Sequence, residues 1–205
     1  MRKTKDESIV PKQNEGKASD TDASEKFHST EEAGQFYEIA KQRLLQVNDW
    51  QKWAGAATAH FQLTDANGAE VNRAVKEGDY FKIDIPGPGT ITGDGFDWVK
   101  VEKIEETNAD EGEQTAIQVR PASNPNNDRS DVAHFFSDSA SSSFIVKRDG
   151  KKVTAAVHGR NEKPNTKTET VADKARNAAV ATGAVAAFSK LQWKSLVKGL
   201  VKKEE

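Results

Sequence analysis

One hairpin in the C-terminal third of the chain constrains the fold more than any other feature. Apolar and polar residues alternate over residues 144–157, on both sides of Asp149-Gly150. Alternation with a period of two is typical of half-buried β-strands, and Asp-Gly is favoured in two-residue type I′ turns. A turn centred on these two residues pairs Val146 with Val153. We therefore predict an antiparallel hairpin with one apolar face, built from Phe144, Val146, Val153, Ala155 and Val157.

More strand patterns precede this hairpin, and no helical pattern separates them. The segment Asp65–Gly68 has turn composition, and the acidic segment Glu105–Glu113 is predicted to be a loop. Strands that follow each other directly favour an antiparallel sheet over a parallel one. The predicted strands lie within about residues 57–157, at 57–64, 69–75, 80–85, 96–104 and 115–120 and in the hairpin.

Helical patterns flank the strands on both sides. Ser29 and Glu32 have the spacing of a capping box, and the apolar residues behind them predict a helix over residues 29–47. At the other end, apolar and small residues recur at steps of three and four over about residues 168–202, which predicts a long C-terminal helix. A break near Gly183 is allowed, because glycine costs about 1 kcal/mol of helix propensity against alanine.

Composition divides the chain into two parts. Residues 1–28 are rich in charged and small polar side chains and contain few apolar ones, which is typical of disordered segments. We predict a disordered polar tail over residues 1–28 and a single α+β domain over residues 29–205. An edge strand at Ile9-Val10 is the alternative for part of the tail.

The predicted fold is an antiparallel sheet, strongly curved or barrel-like, with an N-terminal helix and a long C-terminal helix packed on it. From about Glu31 to Val201, this element order resembles the helix-grip superfamily, in which a curved sheet wraps a C-terminal helix around a cavity for lipids or small molecules. The resemblance rests on element order and on no motif. It implies a further strand before the first helix, which only Ile9-Val10 could supply. A small β-barrel with flanking helices fits nearly as well.

Composition also bears on compartment and partners. The chain has no cysteine, which excludes disulfides and thiolate chemistry and favours a cytoplasmic location. A net charge of -2 provides no general attraction for nucleic acid, so no nucleic-acid partner is expected. The longest weakly polar run covers residues 178–188, whereas a transmembrane helix needs roughly 20 apolar residues. The four histidines lack metal-ligand spacing, so we expect no metal or cofactor.

Binding of a ligand without catalysis is the leading hypothesis for function. A small or apolar ligand would lie between the sheet and the C-terminal helix. Aromatic walls with a few convergent polar groups are typical of such pockets. The predicted pocket residues are Phe81, Ile83, Trp98, Phe144, His158, Arg160 and Trp193.

An interaction module is the first alternative. A basic amphipathic helix can dock a protein partner or an anionic membrane surface. The C-terminal helix has this character because lysines recur every four residues, at Lys190, Lys194, Lys198 and Lys202.

A hydrolase- or lyase-like enzyme is the second alternative. His158 would act as the base and Arg160 would bind an anion, with Glu162 as a third candidate catalytic residue. The Gly/Pro-rich segment 86–95 matches neither a P-loop nor a dinucleotide fingerprint. We predict a mobile lid or hairpin loop there, and ligand gating is its functional alternative.

Overall fold

The computed structural model describes residues 9–55, 59–85, 89–109, 112–167, 171–182 and 184–203. Seven strands and four α-helices form within these ranges. The strands are β1 (Lys17–Lys26), β2 (His60–Thr64), β3 (Tyr80–Asp84), β4 (Asp97–Ala109), β5 (Gly112–Pro121), β6 (Ser141–Asp149) and β7 (Lys152–Glu162). The helices are α1 (Thr30–Leu45), α2 (Trp50–Ala54), α3 (Val171–Thr182) and α4 (Ala184–Leu200), with a 3-10 turn at Val47–Asp49 between α1 and α2.

All seven strands belong to one antiparallel sheet, in the order β1-β7-β6-β5-β4-β3-β2. The edge strands β1 and β2 do not pair with each other, so the sheet is curled but open. This confirms the predicted α+β class and antiparallel sheet, whereas a closed barrel was the wrong alternative. The order of one strand, helices, six strands and C-terminal helices follows the helix-grip arrangement that the sequence resembles.

The hairpin of β6 and β7 has the predicted apolar face but a different register. All five predicted apolar residues are buried in the main core. However, Val146 lies opposite Ala155, and Asp149 opposite Lys152, so the turn is at Gly150 and Lys151. Gly150 has a φ of 56°, as the first central residue of a type II′ turn requires. A shift of two residues keeps every side chain on the same face, because strand side chains alternate with a period of two.

The prediction of a disordered tail is wrong for residues 17–26. They form β1, which pairs with β7 over almost its whole length. On β1, side chains that face the core are partly buried, including Ala23, whereas the others are exposed. A strand of this kind is held mainly by its backbone ladder, so a polar sequence can form it.

The alternative edge strand at Ile9-Val10 is not formed. Instead, Ile9 is buried against Ala116 and Ile145 on the face of the sheet that points away from the main core. The Ser143 hydroxyl donates a hydrogen bond of 3.0 Å to the Ile9 carbonyl. Residues 1–8 of the predicted tail lie outside the described residues.

Two predicted boundaries in the sheet also change. The acidic segment predicted as a loop continues both strands, because Glu105 pairs with Ala116 and Asn108 with Glu113. Each paired glutamate of this extension lies opposite an uncharged residue, which avoids repulsion between like charges across the ladder. The strand predicted at 69–75 is reduced to a single bridge between Thr64 and Glu70.

The main core lies between one face of the sheet, called the inner face, and helices α1, α2 and α4. Trp50 is at its centre and is completely buried. Its ring centroid lies 5.2 Å from that of Phe61, 5.6 Å from Phe81 and 4.7 Å from Phe144. Its indole N–H donates to the Leu44 carbonyl at 3.0 Å. The aromatic cluster therefore joins α2 to β2, β3 and β6.

The C-terminal helices cover this core only in part. Leu196 and Leu200 of α4 are buried in it, whereas Val171, at the start of α3 within the predicted C-terminal helix, is 81% exposed. The side chain of Val185 and the proposed break at Gly183 lie outside the described residues. Among the described helices, none is long and apolar enough to cross a membrane.

Candidate functional site

The predicted pocket residues are divided between the two faces of the sheet. Alternation explains the division: Val99 and Val157 face the main core, so their neighbours Trp98 and His158 point to the opposite face, called the outer face. The inner-face members are Phe81, Ile83, Phe144 and Trp193. The outer-face members are Trp98, His158 and Arg160.

The inner-face members pack against one another. Phe81 and Phe144 are buried, and Trp193 is half-buried with its ring centroid 5.2 Å from Phe144 and 6.0 Å from Phe61. This part of the predicted pocket is therefore occupied by protein side chains. The side chains of residues 184–189, which begin α4, lie outside the described residues.

Trp98 anchors the Gly/Pro-rich loop. Its indole N–H donates to the Gly93 carbonyl at 3.1 Å. The backbone N–H groups of Ile91 and Thr92 donate to the Asp173 carboxylate of α3 at 2.9 and 3.2 Å. Hydrogen bonds thus connect the described residues 89–95 to both β4 and α3. Residues 86–88 lie outside the described residues.

Asp20, His158 and Arg160 form a charged cluster on the outer face. The Asp20 Oδ1 atom lies 2.5 Å from His158 Nδ1 and 2.8 Å from an Arg160 guanidinium nitrogen. Burial opposes ionisation of Asp20, but the hydrogen bonds from His158 and Arg160 outweigh it and lower the pKa of Asp20. The sequence did not reveal Asp20 as a partner, because it lies 138 residues from His158 and within the predicted tail.

Glu162 does not belong to this cluster. The register passes from Ser19 opposite Gly159 to Lys17 opposite Glu162, so β7 has one more residue than β1 at this bulge. Glu162 therefore lies on the same side as Ser19, whose hydroxyl donates to Glu162 Oε1 at 2.9 Å. Burial raises the pKa of Glu162. The three predicted catalytic candidates do not form one catalytic group.

The bulge also holds the N-terminal segment of residues 9–16, called the strap. Asn161 has a φ of 55° and is buried. Its Oδ1 atom accepts hydrogen bonds from the backbone N–H groups of Asn14 at 2.8 Å and Glu15 at 3.1 Å, and its Nδ2 donates to the Lys12 carbonyl at 3.1 Å. A left-handed backbone conformation is energetically costly for residues other than glycine. The three hydrogen bonds to the strap stabilise this conformation at Asn161.

The strap and the sheet enclose a trough of about 720 Å³ on the outer face. Residues 10–12 form one wall, and the floor comes from β1, β6 and β7. The Ser24 and Thr154 hydroxyls on this floor lie 2.9 Å apart. The outer trough is lined by Val10, Pro11, Lys12, Asp22, Ser24, Lys147, Lys152, Thr154, Ala156, His158 and Arg160. Within the described part of the chain, no group of three or more carboxylate or histidine side chains is placed to hold a metal ion.

No protein-family model matches this sequence, and no curated protein matches it. Among solved structures, a hypothetical protein of Helicobacter pylori is 15% identical, with 91% of this chain and 87% of that chain covered and a TM-score of 0.50. Norcoclaurine synthase from Thalictrum flavum is 6% identical, with 95% and 100% covered and a TM-score of 0.37. A major latex-like protein from Panax ginseng is 12% identical, with 87% and 99% covered and a TM-score of 0.34. The Helicobacter pylori protein shares the fold, and at this identity it shows the fold alone.

Proposed function

We propose that this protein binds a small ligand with an anionic group in the outer trough and does not convert it. The charge of the lining carries this proposal. Four cationic side chains, Lys12, Lys147, Lys152 and Arg160, face the trough together with one carboxylate, Asp22. A concave site with an excess of positive charge attracts anions. Its volume of about 720 Å³ lies within the range of small-molecule pockets.

The cluster at one end of the trough supports the same proposal. Arg160 is paired with Asp20, and the excess of cationic over acidic side chains in the lining comes mainly from the three lysines. Asp20 also occupies His158 Nδ1, which leaves Nε2 as the ring nitrogen that can meet a ligand. Asp20 therefore orients both side chains: the Arg160 guanidinium can donate hydrogen bonds to an anion, whereas Nε2 of the neutral imidazole accepts one from a ligand hydroxyl.

Binding is preferred to catalysis because, among the described residues, the hydroxyl directly opposite His158 on β6, that of Ser143, is buried and already donates to the Ile9 carbonyl. The Ser24 and Thr154 hydroxyls contact each other, and both lie four residues along their strands from the Asp20–His158 pair. Catalysis with His158 as base stays the alternative, favoured by its contact of 2.5 Å with Asp20. Replacing His158 by alanine would abolish any such turnover, whereas an unchanged rate would exclude this role.

A direct test begins with native mass spectrometry of the gently purified protein, which reports a bound small molecule by its mass. Calorimetric titration with citrate then compares Lys147→Ala/Lys152→Ala with Lys190→Ala/Lys194→Ala, which loses the same charge at exposed positions of α4. Each exposed charge contact contributes up to about 1 kcal/mol, so the first variant should bind about tenfold more weakly. The control should bind as the wild type does. No binding, or equal weakening in both variants, contradicts the proposal.

The second candidate is an apolar ligand between the inner face and the C-terminal helix. Its support is Trp193, which stays half-buried beside Phe61 and Phe144 at the border of the core. An apolar ligand there would cover this ring. Trp193→Ala should then weaken binding of an apolar dye such as anilinonaphthalene sulfonate, and unchanged binding would reject this site.

A further inference from the structure

We propose a second ligand site, separate from the outer trough, for an amphipathic anion: an unbranched apolar chain that ends in an acidic group. The site is a groove of about 780 Å³ between β1, α2 and α4, called the edge groove. Trp53, Ala54 and Val201 give it an apolar floor, and Lys198, Lys202 and Lys203 give it a basic rim. The proposal does not rest on ligand binding in the trough.

The floor is preorganised by Arg43. The Arg43 guanidinium lies 4.2 Å from the centroid of the Trp53 ring. The same group donates to the carbonyls of Gly199, Leu200 and Lys202, at 3.3, 3.4 and 2.7 Å. One face of Trp53 is therefore held by a buried cation, and the ring is kept in place beside the end of α4. An aromatic side chain fixed in this way can receive an apolar chain with little loss of its own freedom.

Trp53 also presents an unsatisfied donor. Its indole N–H is buried and has no hydrogen-bond partner within the described part of the chain. A buried donor without an acceptor is unfavourable, and tryptophan N–H groups usually find one. This atom is closed to solvent, so the apolar ring of Trp53, and not its N–H, is what the groove offers to a ligand.

The charges of the rim favour an anion. Lys198 and Lys202 are exposed and form no ion pair among the described residues. Lys203 donates to the Lys26 carbonyl. One carboxylate, that of Glu25, is in the lining.

The end of a helix normally repels anions, because its last carbonyl groups carry partial negative charge. Here Arg43 bonds three of the terminal carbonyl oxygens. This cap reduces the repulsion at the point where the rim lysines gather. The groove thus combines an apolar floor with an excess of positive charge at its rim.

The test is calorimetric titration of the full chain with sodium dodecanoate below its critical micelle concentration. We expect binding at one site and about tenfold weaker binding by Lys198→Ala/Lys202→Ala, since two exposed charge contacts are lost. Lys190→Ala/Lys194→Ala is the matched control, because it removes the same charge from exposed positions of α4 outside both sites, and it should bind as the wild type does. Trp53→Ala removes the aromatic ring from the floor, so it should also bind more weakly. Circular dichroism checks that each variant is folded.

A second arm distinguishes a free amphiphile from a membrane lipid. Phosphatidylglycerol vesicles replace dodecanoate in a sedimentation assay. Binding of dodecanoate that depends on Lys198 and Lys202 supports the proposal, with or without vesicle binding. Binding to vesicles alone overturns it in favour of a membrane surface. Absence of dodecanoate binding, or equal binding by all variants, overturns it too, and neither result bears on citrate binding in the trough.

Discussion

Replacing Trp50 by alanine tests whether the inner face is packed as described. The ring is completely buried and contacts three other aromatic rings, with centroid distances of 4.7 to 5.6 Å. Removing a buried tryptophan side chain typically costs about 3–5 kcal/mol. The substitution also removes the N–H donor that bonds the Leu44 carbonyl. We therefore expect the free energy of unfolding to fall by about 4 kcal/mol, a large part of the roughly 5–15 kcal/mol that stabilises a typical domain.

Urea unfolding followed by circular dichroism measures this change. Trp50→Phe should lower the free energy of unfolding clearly less than Trp50→Ala does, because a phenyl ring still fills most of the space. Ile39→Ala is the control, since Ile39 on α1 is 46% exposed and should change stability by no more than about 0.5 kcal/mol. A loss below about 2 kcal/mol for Trp50→Ala would refute the reasoning. It would mean that the space around Trp50 is not filled by the rings of Phe61, Phe81 and Phe144.

Three further predictions concern the bulge and the charged cluster. Because the pKa of Asp20 is lowered by folding, its contribution to stability is complete above about pH 3.9 and is lost as the pH falls through the folded value. The urea midpoint of Asp20→Asn should therefore depend less on pH in this acidic range. The pKa of Glu162 is raised, so wild-type stability should fall as the pH rises from about 4.3, and Glu162→Gln should be the more stable protein at pH 7 in urea titrations. Asn161→Ala removes the hydrogen bonds to the strap, so amide exchange at Asn14 and Glu15 should accelerate while that of Val146 in β6 stays unchanged.

Local sequence patterns were sufficient to predict the elements whose side chains are apolar on one face. The hairpin of β6 and β7 had both alternation and a turn signal, and its inner face was confirmed. The N-terminal helix begins as predicted, with the Ser29 hydroxyl accepting a bond from the Glu32 N–H at 3.0 Å. Alternation could not determine the register of the hairpin, because registers that differ by two residues bury the same side chains.

Long-range pairing explains what the sequence did not reveal. β1 has no apolar run, and its stability comes from a ladder with β7, more than a hundred residues away. Asp20 meets His158 only through that ladder, so the cluster at the trough could not be found by spacing. The edge groove depends in the same way on contacts between α2, α4 and β1.

The other hypotheses from sequence stay predictions. Docking of a protein partner or a membrane through the C-terminal helix has the support of exposed lysines, together with Leu191, which is 67% exposed on α4. The cytoplasmic location also stays an expectation from the sequence.

The pairing of the first strand with the last has a consequence for synthesis on the ribosome. Asp20 is translated 138 residues before His158, and at about 5–20 residues per second β1 waits roughly 7 to 28 s for its partner. During this interval its backbone groups are unpaired and open to other nascent chains. Its charged sequence, with lysines at both ends and Asp20, Asp22 and Glu25 between them, keeps the waiting segment hydrated and discourages such encounters. The polarity that made these residues look like a tail thus protects the sheet while it is incomplete.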